Sequence, residues 1–501
     1  MNEPVSVTDS GADLEGVARV AGGAPFELSP SAVHALEHGR SAIEALLGSG
    51  RAIYGVNTGF GRLATKVVEG DELSGLQRNL LLSHSCGTGP LLSREQVRVM
   101  VFLRVASLAR GRSGIRPCVV ENLVRLANGP VYPAVPSRGS LGASGDLAPL
   151  SHMCLPLIGE GECVTDTGEV VTGAEALELL GMKPVALAAK EGLSLINGTQ
   201  FMTALLSIAL IEARALMDSA DCAAALTLEA LLGTDAALEH ELLSLRPHPG
   251  AIESGRRIRQ LLRGSEILQS HRNCERVQDA YSLRCTPQVH GACRDALSYI
   301  ESVVRLELLS VTDNPLLMED GRMVSGGNFH GQPLSMAADH LKTVAAVLGN
   351  ISERRIERLL NPDLSGLPAF LARDPGMNSG LMIAQYTAAS LVSENKILSH
   401  PSCVDSIPVS GNQEDHVSMG ATAARHCAEM VRNSTHVLAT ELVCGVQAHR
   451  FLERGAMGSG NTETMRVVEM VFESLDSDRR FVADIEAVAE MIRQGCLGQA
   501  S

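Results

Sequence analysis

The uneven distribution of proline constrains the fold of this 501-residue chain more than any other feature. Ten of the 21 prolines precede residue 160, where glycine-rich stretches also concentrate. The spans 185–246, 288–314, 334–361 and 409–501 contain none. Because proline removes a hydrogen bond from a helix interior and clashes with the preceding turn, proline-free spans of this length favour long helices. The chain is therefore predicted to be mainly α, with a loop-rich N-terminal part and a large central bundle of long helices.

Local patterns agree with this prediction. Ser93 is a candidate N-cap with Gln96 three residues later, and apolar residues then recur at helical spacing. A longer periodic pattern over 415–452 predicts a bundle helix. Alternation typical of strands is confined to short pieces such as 162–172, which predicts a hairpin. We expect three regions: an N-terminal tail at 1–23, an active-site region at 24–200 and a helical core at 201–501.

Charge and composition exclude several classes of partner. The formal net charge is −15, no Trp is present, and no block of five basic residues occurs, so a nucleic-acid partner is not expected. The longest apolar run, 201–211, stops at Glu212 and is predicted to be too short to span a membrane. The N-terminus lacks the features of a secretory signal. Twelve cysteines without a C-x-x-C pair indicate reduced thiols, so we expect a cytoplasmic protein.

Most motifs of other enzyme classes are missing. Gly-Lys does not occur, so the chain has no P-loop, and it has no G-x-S-x-G elbow. His34, Glu37 and His38 match the H-x-x-E-H pattern of a zinc peptidase. Their neighbours, however, predict an ordinary amphipathic helix capped by Ser29 or Ser31, and no third ligand accompanies them. We therefore expect no metal site.

Six stretches carry polar groups, most of them with glycine, where a plain helical protein would need neither. Each is weak evidence alone. They are YGVNTGFG at 54–61, LSHSCG at 82–87, GSLGASGD at 139–146, NGTQ at 197–200, QDAYSLR at 278–284 and GNQEDH at 411–416.

Together and in this order, the six stretches resemble those of the histidine ammonia-lyases, within the larger group of aromatic amino-acid ammonia-lyases and aminomutases. The resemblance extends over residues 28–453. It implies that Ala143, Ser144 and Gly145 lose two waters and close into a methylidene-imidazolone (5-imidazolinone) electrophile, with no external cofactor. The Gly145 nitrogen must attack the Ala143 carbonyl, which requires a tight bend without a Cβ. Elimination of the Ser144 hydroxyl then leaves the methylene group.

The resemblance also assigns roles to residues outside the triplet. An electrophile that captures the substrate amine makes it a better leaving group, and Tyr54 matches the base that removes the β-proton. A free tyrosine has a pKa of about 10, so this role requires surroundings that lower it. Asn197 and Tyr281 match groups that hold the electrophile's oxygen and orient the amine. Arg284 matches the residue that binds the substrate carboxylate.

Two positions favour histidine as the substrate. His84 lies where lyases acting on phenylalanine carry a leucine, and Glu414 lies where they usually carry glutamine. Both could hydrogen-bond an imidazole, whereas a phenyl ring would leave them buried and unpaired. Further matches to the lining of the substrate cavity are Gln278, Phe329 and Met382.

The resemblance implies non-oxidative deamination of L-histidine to trans-urocanate and ammonia, the first step of histidine degradation. It also implies a homotetramer whose active sites are shared between subunits. Two alternatives remain open. One is a tyrosine or phenylalanine ammonia-lyase, or an aminomutase, of the same family. The other is a helical scaffold without the electrophile and without activity.

Overall fold

The computed structural model describes residues 3–48, 58, 72–271, 277–452 and 455–498. Helices dominate these residues and the strands are short, so the prediction of a mainly α fold is confirmed. Short 3₁₀ helices occur at Leu155–Ile158 and Ala236–Leu238, whereas Ala369–Leu371 and Ser410–Asn412 are tight turns that contain residues with positive φ.

Short helices alternate with short strands in the first 200 residues. The strands pair as β1 with β2 (parallel), β3 with β5 (antiparallel) and β4–β6–β7 (antiparallel). The elements are β1 Val5–Val7, α1 Leu14–Ala21, β2 Phe26–Leu28, α2 Pro30–Leu47, α3 Glu72–His84, β3 Thr88–Leu91, α4 Arg94–Leu108, α5 Pro117–Asn128, β4 Val131–Pro133, β5 Pro136–Arg138, α6 Leu147–Cys154, β6 Glu162–Thr165, β7 Val170–Thr172, α7 Gly173–Leu179 and α8 Glu191–Ile196.

Long helices follow, and each proline-free span contains all or nearly all of at least one of them. A single antiparallel hairpin, β8–β9, interrupts the helices in the described part of this region. The elements are α9 Gln200–Ala230, α10 His240–Ser244, α11 Pro249–Leu261, α12 Glu266–Gln269, α13 Tyr281–Arg284, α14 Thr286–Leu308, β8 Leu316–Leu317, β9 Met323–Val324, α15 Gln332–Leu360, α16 Pro362–Ser365, α17 Met382–Leu398, α18 Gly420–His449, α19 Ser459–Glu469 and α20 Val482–Arg493.

Local sequence signals explain several element boundaries. Ser93 and Gln96 form the capping box expected at the start of α4. Ser29, rather than Ser31, caps α2 by accepting a hydrogen bond from the amide of Ala32, so the H-x-x-E-H match lies on an ordinary helix. The predicted hairpin over 162–172 is confirmed as β6 and β7, with Gly168 at φ +84° in its turn.

Two helices differ from the sequence expectation. The apolar run at 201–211 was expected to be too short to span a membrane, but it belongs to α9, which has 31 residues and is long and apolar enough to span one by length and composition. Its most apolar 18-residue window has a mean hydropathy of 1.4 and is 78% buried inside the protein, as in a core helix. Helix α4 was expected to bury one face. Every residue over 97–108 is buried instead.

The chain forms two compact units. Unit 1 comprises Met1–Ile208, Ser302–Asp339 and Pro401–Arg425. Unit 2 comprises Ala209–Glu301, His340–His400 and His426–Ser501. Strand β1 and helix α1 lie within the stretch expected to be a tail, and Leu14, Val17 and Val20 of α1 are buried. The three predicted regions remain a prediction.

A buried network of ionisable side chains crosses the core of unit 2. Arg355 of α15 donates from Nε and Nη2 to the two carboxylate oxygens of Glu441 in α18, at 2.5 and 2.9 Å. His290 of α14 bonds Asp221 of α9 through Nδ1 at 2.8 Å. All four side chains are buried in the protein interior. Pairing satisfies these charges, and the network fixes the register of the four helices.

Candidate active site

The Ala-Ser-Gly triplet lies in a turn of unit 1 between β5 and α6. Gly142 and Gly145 have φ values of +65° and +73°, which glycine tolerates because it lacks a Cβ. Ala143 and Gly145 are buried, whereas Ser144 between them is partly exposed. The turn therefore presents the middle residue of the triplet and encloses the other two.

Gly145 packs directly against the backbone of Gly198, which follows α8. The two residues form an isolated parallel bridge, and the amide of Asp146 donates to the Gly198 carbonyl at 2.7 Å. A Cβ on Gly145 would lie 2.3 Å from the oxygen, 2.6 Å from the carbonyl carbon and 2.7 Å from the nitrogen of Gly198. Since backbone atoms cannot rotate away as a side chain can, glycine is required here.

Asp146 anchors the end of the turn. Its Oδ1 accepts from the Ser140 hydroxyl at 2.7 Å, and its Oδ2 accepts from the Met202 amide in the first turn of α9 at 3.0 Å. Ser140 in turn accepts from the Gly142 amide at 3.1 Å. Burial raises the pKa of the Asp146 carboxyl to about 7, although these hydrogen bonds act in the opposite direction.

Asn197 reaches the triplet from the C-cap of α8. Its Nδ2 donates to the Ser144 carbonyl oxygen at 2.8 Å, and only 4% of the residue is exposed. The structure thus brings together two residues that are 53 positions apart in the sequence. Within the described part of the chain, the buried Oδ1 of Asn197 has no hydrogen-bond partner.

These contacts are suited to ring closure within the triplet. The Ser144 carbonyl is the one that would remain as the ring carbonyl, and it already accepts from Asn197. The ring nitrogen would come from Gly145, at a position that excludes a Cβ. The residues present therefore fit a methylidene-imidazolone.

His84 is the last residue of α3 and is half-buried. Its Nδ1 lies 2.9 Å from the Leu80 carbonyl oxygen, and because a carbonyl can only accept, Nδ1 carries the proton. Burial lowers the pKa of His84, while the bond to Leu80 and the nearby Glu414 carboxylate partly oppose that effect. The ring is therefore neutral near pH 7 and presents Nε2 as an acceptor.

Glu414 lies in a tight turn that the sequence pattern did not predict in detail. Its backbone pairs with Val409 in both directions, at 3.0 and 3.4 Å. Between them, Ser410, Gly411 and Asn412 all have positive φ. Three successive residues in this sparsely populated region form a strained turn, which presents the partly exposed Glu414.

Phe329 also lies in unit 1, half-buried in the turn that precedes α15. The next residue, His330, accepts from the Gln332 amide at Nδ1 and bonds the His416 carbonyl oxygen through Nε2, each at 3.3 Å. The rings of His330 and His416 stack 5.8 Å apart with an interplanar angle of 3°. This contact joins the turn of Phe329 to the loop that carries Glu414.

The other predicted residues lie in unit 2. Tyr281 begins α13 and is 70% exposed, and the Arg284 guanidinium carbon lies 4.5 Å from its ring centroid. Gln278 is exposed, and Met382 begins α17 and is partly buried. Tyr281 and Arg284 are thus brought together, while the roles of all four residues remain predictions. Tyr54 lies outside the described residues.

Sequence reasoning missed Arg104, a buried residue whose hydrogen bonds hold the backbone of Asn197. The signal was present, because an arginine stands in the otherwise apolar run VFLRVASL of α4. A charged residue in such a run is rarely buried without a specific partner. No group of three potential metal-ligating side chains occurs among the residues that the structure covers.

Comparison with known proteins identifies the family. The family model of the aromatic amino acid lyases matches residues 12–471, so the chain belongs to this family. A curated histidine ammonia-lyase from Gloeobacter violaceus is 50% identical over 490 residues, covering 97% of this chain and 95% of the relative. The predicted enzyme class, an ammonia-lyase, is thereby confirmed.

Solved structures show the same fold. The histidine ammonia-lyase of Trypanosoma cruzi matches with a TM-score of 0.91 and 39% identity, over 99% of this chain and 94% of that one. The tyrosine aminomutase of Streptomyces globisporus matches with a TM-score of 0.92 and 38% identity, over 98% and 97% of the two chains. The fold therefore serves both lyases and aminomutases.

Proposed function

We propose that this enzyme deaminates L-histidine to trans-urocanate and ammonia, as the first step of histidine degradation. The main support for the proposal is the protonation of the His84 ring. Its proton is held at Nδ1 by the Leu80 carbonyl, so Nε2 can accept a hydrogen bond from an imidazole N–H. The nearby Glu414 carboxylate supplies a second partner. A phenyl or phenol ring leaves both groups without that hydrogen bond, at a cost in selectivity.

The electrophile forms from the chain itself. The Gly145 nitrogen bonds to the Ala143 carbonyl carbon, and that carbonyl oxygen leaves as water with the amide protons of Ser144 and Gly145. The Ser144 hydroxyl and its α-hydrogen leave as a second water, which creates the exocyclic methylene. Once formed, the ring would supply an electrophilic carbon for the substrate amine.

The remaining residues orient and deprotonate the substrate. Asn197 stabilises negative charge on the Ser144 oxygen, as an oxyanion-hole donor does. Arg284 binds the substrate carboxylate and Tyr281 orients the amine, while Tyr54 removes the β-proton. Further contacts to the substrate come from Gln278, Phe329 and Met382.

The active enzyme is a cytoplasmic homotetramer with active sites shared between subunits. Exposure of the predicted substrate-binding residues supports this, since Tyr281 is 70% exposed and the neighbouring Val277 is 94% exposed in a single chain. Groups so open to solvent need a second surface to form an enclosed cavity.

A direct assay tests the proposal. Purified protein is incubated with L-histidine, and the ultraviolet absorbance of urocanate is followed. Urocanate should accumulate, and tyrosine and phenylalanine should be poor substrates. Consumption of tyrosine or phenylalanine without urocanate would contradict the proposal.

An aminomutase is the second candidate, favoured by the structural match to a tyrosine aminomutase. It would return ammonia to the β-carbon and yield β-histidine. Chromatography of the same reaction separates urocanate from a β-amino acid. A catalytically silent scaffold would yield neither product.

A further inference from the structure

Arg104 is a fully buried arginine in the middle of α4, and its side chain lies behind the candidate active site. Its Nη1 donates to the Asn197 carbonyl at 2.9 Å and to the Gln200 Oε1 at 2.8 Å. Its Nη2 donates to the Ser194 carbonyl. One guanidinium therefore binds both the end of α8 and the start of α9, on either side of the link that carries Asn197.

The hydrogen-bond partners of Arg104 in the described structure are neutral. The neighbouring Asp313 carboxylate binds Lys190 Nζ at 2.7 Å, and both of those side chains are fully buried. Asp313 favours the Arg104 charge through space, but its ion pair is with Lys190, so no carboxylate hydrogen-bonds the guanidinium in the described structure. Burying such a charge costs several kcal/mol, which packing alone does not require.

The position of Gly198 connects Arg104 to the triplet. A Cβ on Gly198 would lie 2.4 Å from Arg104 Nη1, and a Cβ on Gly145 would lie 2.3 Å from the Gly198 oxygen. Gly198 therefore lies between the Arg104 guanidinium and Gly145. Asn197, whose carbonyl Arg104 holds, donates to the Ser144 oxygen from its side chain.

We propose that Arg104 is a positioning residue for the electrophile. The N–H donors of its guanidinium fork hold the backbone of Asn197 so that the Asn197 Nδ2 points at the Ser144 oxygen. The positive charge of the guanidinium also favours negative charge on that oxygen. The inference rests on the proposed function, because it assigns the Ser144 oxygen to the ring. It adds a residue that contacts neither the substrate nor the ring.

Two substitutions at Arg104 distinguish the effect of the guanidinium's paired N–H donors from the effect of its positive charge. Arg104→Met removes both and keeps an unbranched chain, whereas Arg104→Lys keeps the charge and loses the fork. For each variant, the mass of the peptide spanning Ser144 gives the fraction that has lost two waters. The kcat and KM for histidine are measured on the same preparation, with circular dichroism as the test of folding.

In Arg104→Met we expect a reduced fraction of dehydrated peptide and a kcat lower by roughly 10²–10³-fold, the cost of losing one oxyanion donor. The KM should change by less than about threefold, because Arg104 does not bind substrate. Arg104→Lys should form the ring and lose about tenfold in kcat. In the double variant with Asn197→Ala the two losses in kcat should not add in full, because the guanidinium acts largely through that residue.

Arg98 provides a matched control on the same helix. It is also buried, and its Nη2 donates to the Ala24 carbonyl at 2.7 Å, away from the triplet. Arg98→Met should lower the melting temperature and leave the dehydrated fraction and kcat unchanged. An equal loss in the Arg98 and Arg104 variants would overturn the proposal, as would additive losses in the double variant.

The design also separates this inference from the proposed function. If the wild-type peptide retains both waters and the protein forms no urocanate, the proposed function itself fails. If the wild-type carries the ring and Arg104→Met matches it in ring content and kcat, only the role of Arg104 is refuted. If Arg104→Met does not fold, Arg104→Lys decides, and a wild-type kcat in that variant would refute the role.

Discussion

Asp146 should make the stability of this protein depend on pH, in a direction opposite to that of most carboxylates. The residue is completely buried at the end of the triplet turn, and burial raises its pKa from 3.8 to about 7. The folded state therefore holds the proton more tightly than the unfolded state does. Its stabilising contribution is complete below pH 3.8 and is lost as the pH rises through about 7.

The size of the effect follows from the two pKa values. A rise from 3.8 to about 7 corresponds to roughly 4 kcal/mol against the ionised form. Between pH 5 and 8 the loss amounts to roughly 2–3 kcal/mol, because part of it has already occurred by pH 5. Asp146→Asn removes this dependence, since an amide cannot ionise. The amide can donate to the Ser140 hydroxyl and accept from the Met202 amide, so it fits the same site.

The assay is guanidinium unfolding of the wild-type and Asp146→Asn proteins at pH 5, 6, 7 and 8, followed by circular dichroism. Relative to the wild-type, the variant should gain roughly 2–3 kcal/mol between pH 5 and 8. Asp320→Asn is the control, because Arg322 lowers the pKa of that exposed carboxylate and it stays ionised over this range. If the wild-type and Asp146→Asn curves run parallel, Asp146 is already ionised at pH 5 and the reasoning is wrong.

Three further substitutions test the site. Gly145→Ala places a Cβ 2.3 Å from the Gly198 oxygen at a residue with φ +73°. We expect a loss of about 2–5 kcal/mol in unfolding free energy, and a triplet that mass spectrometry finds unmodified. Wild-type stability of the variant would contradict this prediction. Glu414→Gln keeps the shape of the side chain and removes its charge near His84, so kcat/KM for histidine should fall about 10–100-fold. An equal fall in kcat/KM for phenylalanine would disprove a role of Glu414 in selectivity. Asn197→Ala should lower the kcat for histidine by roughly 10²–10³-fold, measured from the absorbance of urocanate. An unchanged kcat would exclude Asn197 from oxyanion stabilisation.

Much of the fold could be predicted because its signals are local. The capping box of Ser93 and Gln96, the turn at Gly168 and the long proline-free helices each depend on residues close in sequence. The triplet could be identified for a similar reason, since three consecutive residues supply all the atoms of the ring. In both cases the predictive signal comes from residues that are adjacent or close in the sequence.

Features that depend on distant contacts were not predictable. Arg104 bonds a carbonyl 93 positions away, and nothing in its own neighbourhood shows that partner. The apolar run over 201–211 stops at Glu212, yet α9 passes through that residue and continues to Ala230. Likewise, the strained turn before Glu414 and the burial that raises the pKa of Asp146 arise only when separate segments pack together.

The central claim is that Ala143, Ser144 and Gly145 close into an electrophilic ring. The most direct measurement is the mass of the proteolytic peptide that spans these residues, taken from the mature wild-type protein. We predict a mass lower than that encoded by the sequence by two water molecules, and the encoded mass in the Ser144→Ala variant. A wild-type peptide at the encoded mass, from protein that produces urocanate, would contradict the mechanism.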